Sequence, residues 1–189
     1  KSMTPNLLTG LINVGNSDFE CMATKIYASG AVSSQVQLIN LQGTGKHTIL
    51  GTTFEFCGFH PQSNDNLPED WDPSLIYISG SSTNKFDNIA FTHPDEGNPQ
   101  PYIITGTRSI RIEGDCSLQI IGSRFYNSSC YTEGSFLFLS STQNITISDC
   151  DFKKCYSIQS YGSYRAAQAI YITEENKGIV NIQCIQINS

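Results

Sequence analysis

The chain has 189 residues, of which 39% are hydrophobic and 15% charged, and this is long and apolar enough for one folded domain with a sizeable core. Its formal net charge of −6, with only 11 Lys and Arg residues, argues against a nucleic-acid-binding surface. No apolar run is long enough to span a membrane, and the amino terminus has no basic-then-apolar secretion signal.

A four-point apolar frame recurs along the chain. In its clearest copy, Leu137 and Leu139 lie two positions apart, Ile147 follows eight positions later, and Phe152 follows after five more. The five complete copies are Ile39, Leu41, Ile49 and Phe54; Ile76, Ile78, Phe86 and Phe91; Ile110, Ile112, Ile120 and Phe125; Leu137, Leu139, Ile147 and Phe152; and Ile170, Ile172, Val180 and Ile185. An incomplete copy ends at Val14 and Phe19.

The frame predicts three short strands in each copy, because residues two apart on a strand point to the same side. Gly, Ser, Thr, Asn and Asp residues between the apolar points indicate turns, and no stretch shows a capped helical period. One copy of about thirty residues cannot bury its own apolar side chains, whereas stacked copies bury them as ladders. We therefore predict an all-β parallel β-helix of about six coils, with residues 1–189 forming one domain that is either a segment of a longer solenoid or an end-to-end assembling unit.

The connections between copies vary in length, whereas each complete frame spans the same number of positions. The longer connections are therefore expected to leave the solenoid from one corner, and six of the seven prolines lie in two of them. Loops stacked along one corner of a rigid solenoid would form a one-sided surface, which is where function is commonly located.

The repeats resemble those of right-handed parallel β-helix proteins, and among them the polymorphic outer membrane protein type. That type has small residues before an Ile, a middle strand, and a closing Phe-x-x-Asn. Residues 166–171 and 134–137 resemble the first element, and Phe54 to Cys57 and Phe152 to Cys155 resemble the last, with Cys in place of Asn. The resemblance implies the fold, display at the cell surface and adhesion. The right-handed sense follows from the resemblance and from the general handedness of parallel crossovers.

Seven cysteines occur without a CxxC pair or zinc-ligand spacing, so we expect no metal site and no cofactor. Six of them fall near equivalent points of adjacent coils, and coils about 4.8 Å apart suit disulfide geometry. The predicted bridges, which leave Cys116 free, are Cys21–Cys57, Cys130–Cys155 and Cys150–Cys184. The alternative is that several of them are buried thiols within the ladders.

Asn127 and Asn144 begin the two N-glycosylation sequons of the chain. Together with the cysteines, they favour an oxidising secretory route and an extracellular or cell-surface location. Sugars on these two residues would decorate separate sides of the solenoid.

No arrangement of residues indicates catalysis, although many parallel β-helices cleave acidic polysaccharides. The Gly-His-Gly and Arg-x-Lys motifs of polygalacturonase-like proteins are absent. Asp149 and Asp151 lie two positions apart on one predicted strand, but Lys153 and Lys154 next to them would neutralise their charge. The best candidate for ligand binding is an acidic, aromatic corner, where an aromatic ring could stack on a sugar and carboxylates could bind its hydroxyls. Its residues are Asp70, Trp71, Asp72, His93 and Asp95.

We therefore expect an extracellular structural or adhesive β-helix that is not an enzyme and that assembles end to end into a surface filament. The chain begins and ends inside a coil without a capping helix, and an uncapped solenoid favours association through its strand edges. A carbohydrate or host-surface partner is the other expectation. The alternatives are a carbohydrate-binding module and a polysaccharide lyase or hydrolase of the pectate-lyase-like class.

Overall fold

The structure is a computed structural model that describes residues 12–27, 37–55, 57, 74–92, 107–130, 136–160, 163–166 and 168–188. The side chains of residues 27, 127–130, 155–160, 163–166 and 188 are outside this description. Within these residues every regular element is a strand, and no helix is long and apolar enough to cross a membrane.

The strands follow each other in sets of three, one set to a coil, with one additional strand after the fifth set. The first three coils contain β1 (Ile12–Val14), β2 (Phe19–Met22), β3 (Lys25–Tyr27), β4 (Ile39–Gly43), β5 (Lys46–Leu50), β6 (Thr53–Glu55), β7 (Ser74–Gly80), β8 (Thr83–Asp87) and β9 (Ala90–Thr92). The last three contain β10 (Arg108–Gly114), β11 (Ser117–Ile121), β12 (Arg124–Cys130), β13 (Leu137–Ser141), β14 (Ile145–Ser148), β15 (Asp151–Ser160), β16 (Ser163–Ala166), β17 (Ile170–Ile172), β18 (Val180–Gln183) and β19 (Gln186–Asn188).

Three parallel sheets result, because each strand pairs with its equivalents in the neighbouring coils. The first sheet has the order β1-β4-β7-β10-β13-β17, and the second has the order β2-β5-β8-β11-β14-β18. The third contains β3-β6-β9-β12-β15, with both β19 and the antiparallel β16 on the far side of β15. The predicted parallel solenoid of about six coils is confirmed.

The core consists of ladders of like residues that run through the stack. Phe54, Phe91, Phe125 and Phe152 are stacked face to face in the third sheet, with ring centroids 4.6, 5.3 and 4.7 Å apart. Phe136 packs its edge against Phe125 at 5.7 Å. All five rings are almost fully buried, so this ladder supplies a large share of the apolar burial.

One polar pair lies inside the core. His47 and Asn84 occupy the same row of the second sheet, each about 1% exposed, and His47 Nδ1 lies 2.8 Å from Asn84 Oδ1. Because the Asn84 amide donates to Ser82 Oγ and to the Ser117 carbonyl, its oxygen is left to accept, and this places a proton on His47 Nδ1. The pair follows from the repeat, because the frame places Asn84 opposite His47 in the adjacent coil.

The sequence frame was wrong in the first coil. Val14 and Phe19 were predicted opposite Ile49 and Phe54, but Val14 pairs with Leu41 in the first sheet and Phe19 with His47 in the second. Ile26 takes the position opposite Phe54. The prediction failed because Phe was taken as the marker of the third strand, and in this coil an Ile holds that place.

The frame was also wrong in the second half of the last coil. Val180 and Ile185 were predicted opposite Ile147 and Phe152, but the structure places Ile182 and Ile187 there. The first turn of this coil is two residues longer than its equivalent in the preceding coil, so not every insertion leaves from the same corner. A shift of two residues keeps the same side chains inward, so alternation alone could not detect it.

Candidate functional site

The acidic, aromatic corner predicted for ligand binding lies outside the described residues. Its members fall in two connections, residues 58–73 and 93–106. Its residues, for which the prediction therefore stays untested, are Asp70, Trp71, Asp72, His93 and Asp95.

The two sequon asparagines lie on different sheets. Asn144 is exposed just before β14, and its side-chain oxygen accepts a hydrogen bond from the Ile179 backbone N–H at 3.2 Å. Asn127 lies within β12, which continues to Cys130 and is longer than the sequence predicted. Glycosylation at both positions stays a prediction.

Two of the predicted disulfides are not formed. Cys21 and Cys57 are free thiols that belong to different sheets, since Cys21 pairs with Ile49 in the second sheet and Cys57 follows β6 of the third. Cys150 and Cys184 are also free. The longer first turn of the last coil shifts Cys184 to the position opposite Asp149, at an exposed corner, whereas Cys150 points into the core.

Three cysteines fit the alternative, in which they are buried thiols within the ladders. Cys57, Cys116 and Cys150 are buried thiols, and Ser82 Oγ donates a hydrogen bond to Cys116 Sγ at 3.4 Å. Burial raises the pKa of the Cys150 thiol, which keeps it protonated and unreactive. The backbone register places Cys155 opposite Ser128 and Cys130 opposite Ser157, and the side chains of that predicted bridge lie outside the description.

The outward face of the first sheet carries a row of aromatic and charged side chains. In successive coils the row contains Tyr77, Arg111, Phe138 and Tyr171, all half-buried. The Arg111 guanidinium lies over the Phe138 ring, 5.1 Å from its centroid, and the Tyr171 ring is 5.6 Å from the same ring. We call these four residues the outer row, and contacts along it tie four neighbouring coils together.

Two further charged groups fix the outer row in place. Glu113 pairs with Arg111 on the same strand, and the Tyr77 hydroxyl donates to Glu113 Oε2 at 2.7 Å. Arg108 is 1% exposed and its guanidinium lies over the same ring as that of Arg111, 4.5 Å from the Phe138 centroid. Cation–π contacts of this kind are worth about 0.5–2 kcal/mol, depending on how far the pair is desolvated.

The outer row was not identified from the sequence. The frame did contain the signal, because the residues between the first two apolar points of adjacent copies must be neighbours on the outer side. This rule places Arg111 beside Tyr77 and Phe138. Nothing in the local sequence indicates that Arg108 is buried.

Tyr77 provides a test of this network. Burial raises the pKa of Tyr77 to about 12, with further contributions from the hydrogen bond to Glu113 and from its negative charge. We expect the phenolate absorbance of wild type minus Tyr77→Phe to titrate near that value. The neutral phenol stabilises the fold fully below the ordinary pKa of 10.0, and this contribution is lost as the pH rises toward 12.

Glu113→Gln is the matched control for Tyr77. It keeps an oxygen that can accept the hydrogen bond but removes the charge, so the pKa of Tyr77 should fall and remain above the ordinary value. A difference titration of the wild type centred at the ordinary value would contradict the buried, paired geometry.

A second polar group lies on the outside of the third sheet. Asp151 accepts a hydrogen bond from the Tyr126 hydroxyl at 2.8 Å and pairs with Lys153 at 3.2 Å. These contacts raise the pKa of Tyr126 and of Lys153. Asp149 lies in the preceding turn with positive φ, so the two carboxylates do not face each other on one strand. Among the described side chains, no group of three or more His, Cys, Asp or Glu could hold a metal ion.

The coil of β17, β18 and β19 presents apolar side chains that no described coil covers. Its inward positions hold Ile172, Ile182 and Ile187, which are 44%, 38% and 58% exposed. Their partners one coil earlier, Leu139, Ile147 and Phe152, are 0% exposed. We call Ile172, Ile182 and Ile187, with the strands that carry them, the edge coil.

Comparisons with protein-family models, with characterised proteins and with solved structures found no match for this chain. The solenoid geometry, the outer row and the edge coil therefore carry the functional argument.

Proposed function

We propose that the protein is a structural and adhesive β-helix of the extracellular space or cell surface, which works by stacking its edge coil on a further coil of the same geometry. The observation that carries this proposal is the exposure of Ile172, Ile182 and Ile187 at positions whose equivalents in the preceding coil are fully buried. Covering the three side chains would contribute on the order of 3 kcal/mol, before the backbone hydrogen bonds of three parallel strands are added.

Two sequence features support the location and the adhesive part of the proposal. The repeats resemble the polymorphic outer membrane protein type, which implies surface display. The sequons at Asn127 and Asn144 are consistent with passage through a secretory route. A solenoid also suits a mechanical or spacing role, since each coil is held by three ladders and by side-chain stacks such as the Phe ladder.

The test is to place a charge on the inward side of the edge coil. We expect the wild-type protein to form elongated assemblies, seen by electron microscopy and by light scattering at increasing concentration. Ile182→Lys should abolish them, because stacking would bury an unpaired ammonium group. Asn181→Lys is the matched control, since residue 181 lies next to it on the outward side and should leave most of the assembly intact.

Circular dichroism and thermal unfolding of both variants would show that the fold is retained. A wild-type protein that stays monomeric over the whole concentration range would contradict the proposal. Equal loss of assembly in Ile182→Lys and Asn181→Lys would contradict the specific role of the inward face.

A further inference from the structure

We propose that the outward side of the third sheet is the adhesive surface of the protein, and that it binds sugars that carry a carboxylate. The inference rests on the adhesive part of the proposed function and adds the surface and the chemistry of the partner. It does not depend on how the two ends of the solenoid are covered, because the residues that carry it lie on the outward face of a sheet.

Long and short side chains follow each other across this face and form a shelf. Arg124 and Tyr126 project outward from β12, on either side of the buried Phe125, and the register places Ala90 and Thr92 of β9 beside them. Thr53 continues the row of short side chains on β6, and all three short residues are partly exposed. We call the floor of Thr53, Ala90 and Thr92, together with Arg124 and Tyr126, the shelf.

An ion pair borders the shelf on the side of the first coil. Lys25 of β3 is paired with Glu55 of β6, and Lys25 lies in the same row as Thr53, Ala90 and Arg124. Lys25 and Arg124 are thus three strand spacings apart, or about 14 Å, with only short side chains between them in that row. The shelf is open to solvent and wide enough for a chain of sugar rings to lie on it.

Arg124 supplies the free positive charge of the shelf. It is exposed, and it forms no hydrogen bond or ion pair within the described part of the chain. The carboxylates of the outward rows are already paired, Glu55 with Lys25 and Asp151 with Lys153. A guanidinium binds a carboxylate through two parallel hydrogen bonds, so Arg124 is suited to an acidic ligand even though the whole chain has a formal net charge of −6.

Tyr126 is held in a fixed orientation beside Arg124. Its hydroxyl donates to Asp151 Oδ2 at 2.8 Å, and Lys153 Nζ lies over the ring, 5.1 Å from its centroid. Lys153 stands opposite Tyr126 on β15 and covers the ring from that side, which turns the other face of the ring toward the floor at Thr92. The hydrogen bond to Asp151 raises the pKa of the hydroxyl, and the charges of Lys153 and Arg124 oppose this shift because both cations lie nearby.

These groups together match a sugar acid better than an acidic peptide. Arg124 binds the carboxylate, the open face of Tyr126 packs against the apolar face of a sugar ring, and the Thr53 and Thr92 hydroxyls donate to and accept from sugar hydroxyls. An acidic peptide would bring carboxylates but no regular row of hydroxyls for the floor. Uronic acids and sialic acids share the required chemistry, and the experiment distinguishes these two sources.

Binding of the full chain to matched probes tests the proposal. The acidic probes are a hyaluronan hexasaccharide, which carries uronate, and sialyllactose, which carries sialate. Carboxyl-reduced hyaluronan hexasaccharide and lactose are their neutral counterparts, and poly-glutamate represents an acidic peptide. We expect the wild-type protein to bind at least one acidic sugar and neither neutral counterpart. Arg124→Gln should weaken this binding about tenfold or more, because hydrogen bonds to a charged group are lost.

Two further variants separate the shelf from general charge attraction. Lys85→Gln is the matched control, since it removes a half-exposed cation from the outward side of the second sheet and should leave the affinity unchanged. Ala90→Leu fills the floor without changing the charge and should weaken binding. Circular dichroism of all three variants would show that the fold is retained.

The outcomes separate this inference from the proposed function. Binding of an acidic sugar that is weakened by Arg124→Gln and Ala90→Leu but not by Lys85→Gln supports the shelf. Equal weakening by Arg124→Gln and Lys85→Gln overturns it, as does binding of poly-glutamate alone or of no probe. Assembly is measured separately by light scattering, so a chain that assembles without binding either acidic sugar overturns the shelf and leaves the structural part of the proposed function standing.

Discussion

Phe125→Ala is expected to lower the free energy of unfolding by about 3–5 kcal/mol, because it removes a large buried ring and leaves a cavity that a stacked solenoid cannot easily close. Phe125 is 0% exposed and lies between Phe91 and Phe152 in the third sheet, with Phe136 against its edge. The loss should therefore disrupt contacts with both neighbouring coils. Denaturant unfolding followed by circular dichroism measures it.

Phe138→Ala is the matched control, since it makes the same substitution one coil further along on the outward side. Phe138 contacts Arg108, Arg111 and Tyr171 but remains half-exposed, so we expect a clearly smaller loss. Equal losses for the two variants would show that the Phe ladder is not the main source of cohesion between the coils. A loss confined to one part of the transition would instead show that the coils unfold separately, as repeat arrays can.

The central coils were predictable because two constraints agree there. Alternation fixes which side chains point inward, and the constant spacing from Leu41 to Phe54 and from Leu139 to Phe152 fixes the length of the two inner turns. Every frame position from Ile39 to Phe152 is buried in the structure at the register that the sequence indicated. Neither constraint depends on long-range contacts.

The first and last coils were harder because one of the two constraints changes there. In the first coil, Cys21 lies opposite Ile49 and Ile26 lies opposite Phe54, so neither position carries the residue type of the frame. In the last coil, the turn before Val180 is longer by two residues. The disulfide predictions inherited these errors, since a shift of one or two positions moves a thiol from the core to a corner. A shift of one or two positions leaves the composition unchanged, but it decides whether two thiols lie close enough to form a disulfide.

The outer row and the edge coil depend on neighbours in space. The proximity of Arg111 to Phe138 follows from register, but the depth at which Arg108 is buried depends on what packs over the sheet. The exposure of Ile182 cannot be recognised in a sequence where it looks like any other ladder residue. The ligand site predicted around Trp71 stays a prediction, and binding measurements would test it.

Gly80→Ala is expected to destabilise the fold by about 3 kcal/mol or more, because it combines two penalties at one corner. Gly80 has φ of +98°, a region that residues with a side chain rarely adopt. An added Cβ would also lie 2.6 Å from both the backbone N and the backbone O of Gly43 in the adjacent coil. Backbone atoms cannot rotate away, so the two coils would have to separate, and thermal unfolding should show a large fall in Tm.

Gly122→Asn separates the two penalties, since Gly122 also has positive φ but lies in the other corner row. Nothing lies within 4 Å of the Cβ position at Gly122, and Asn88 takes the same conformation in the preceding coil. Asn tolerates this conformation, so Gly122→Asn should cost less than about 1 kcal/mol. If the two variants proved equally damaging, backbone conformation and not the distance between coils would set the limit at both corners. If only Gly80→Ala is damaging, close approach of the backbones at the first corner determines how tightly successive coils can stack.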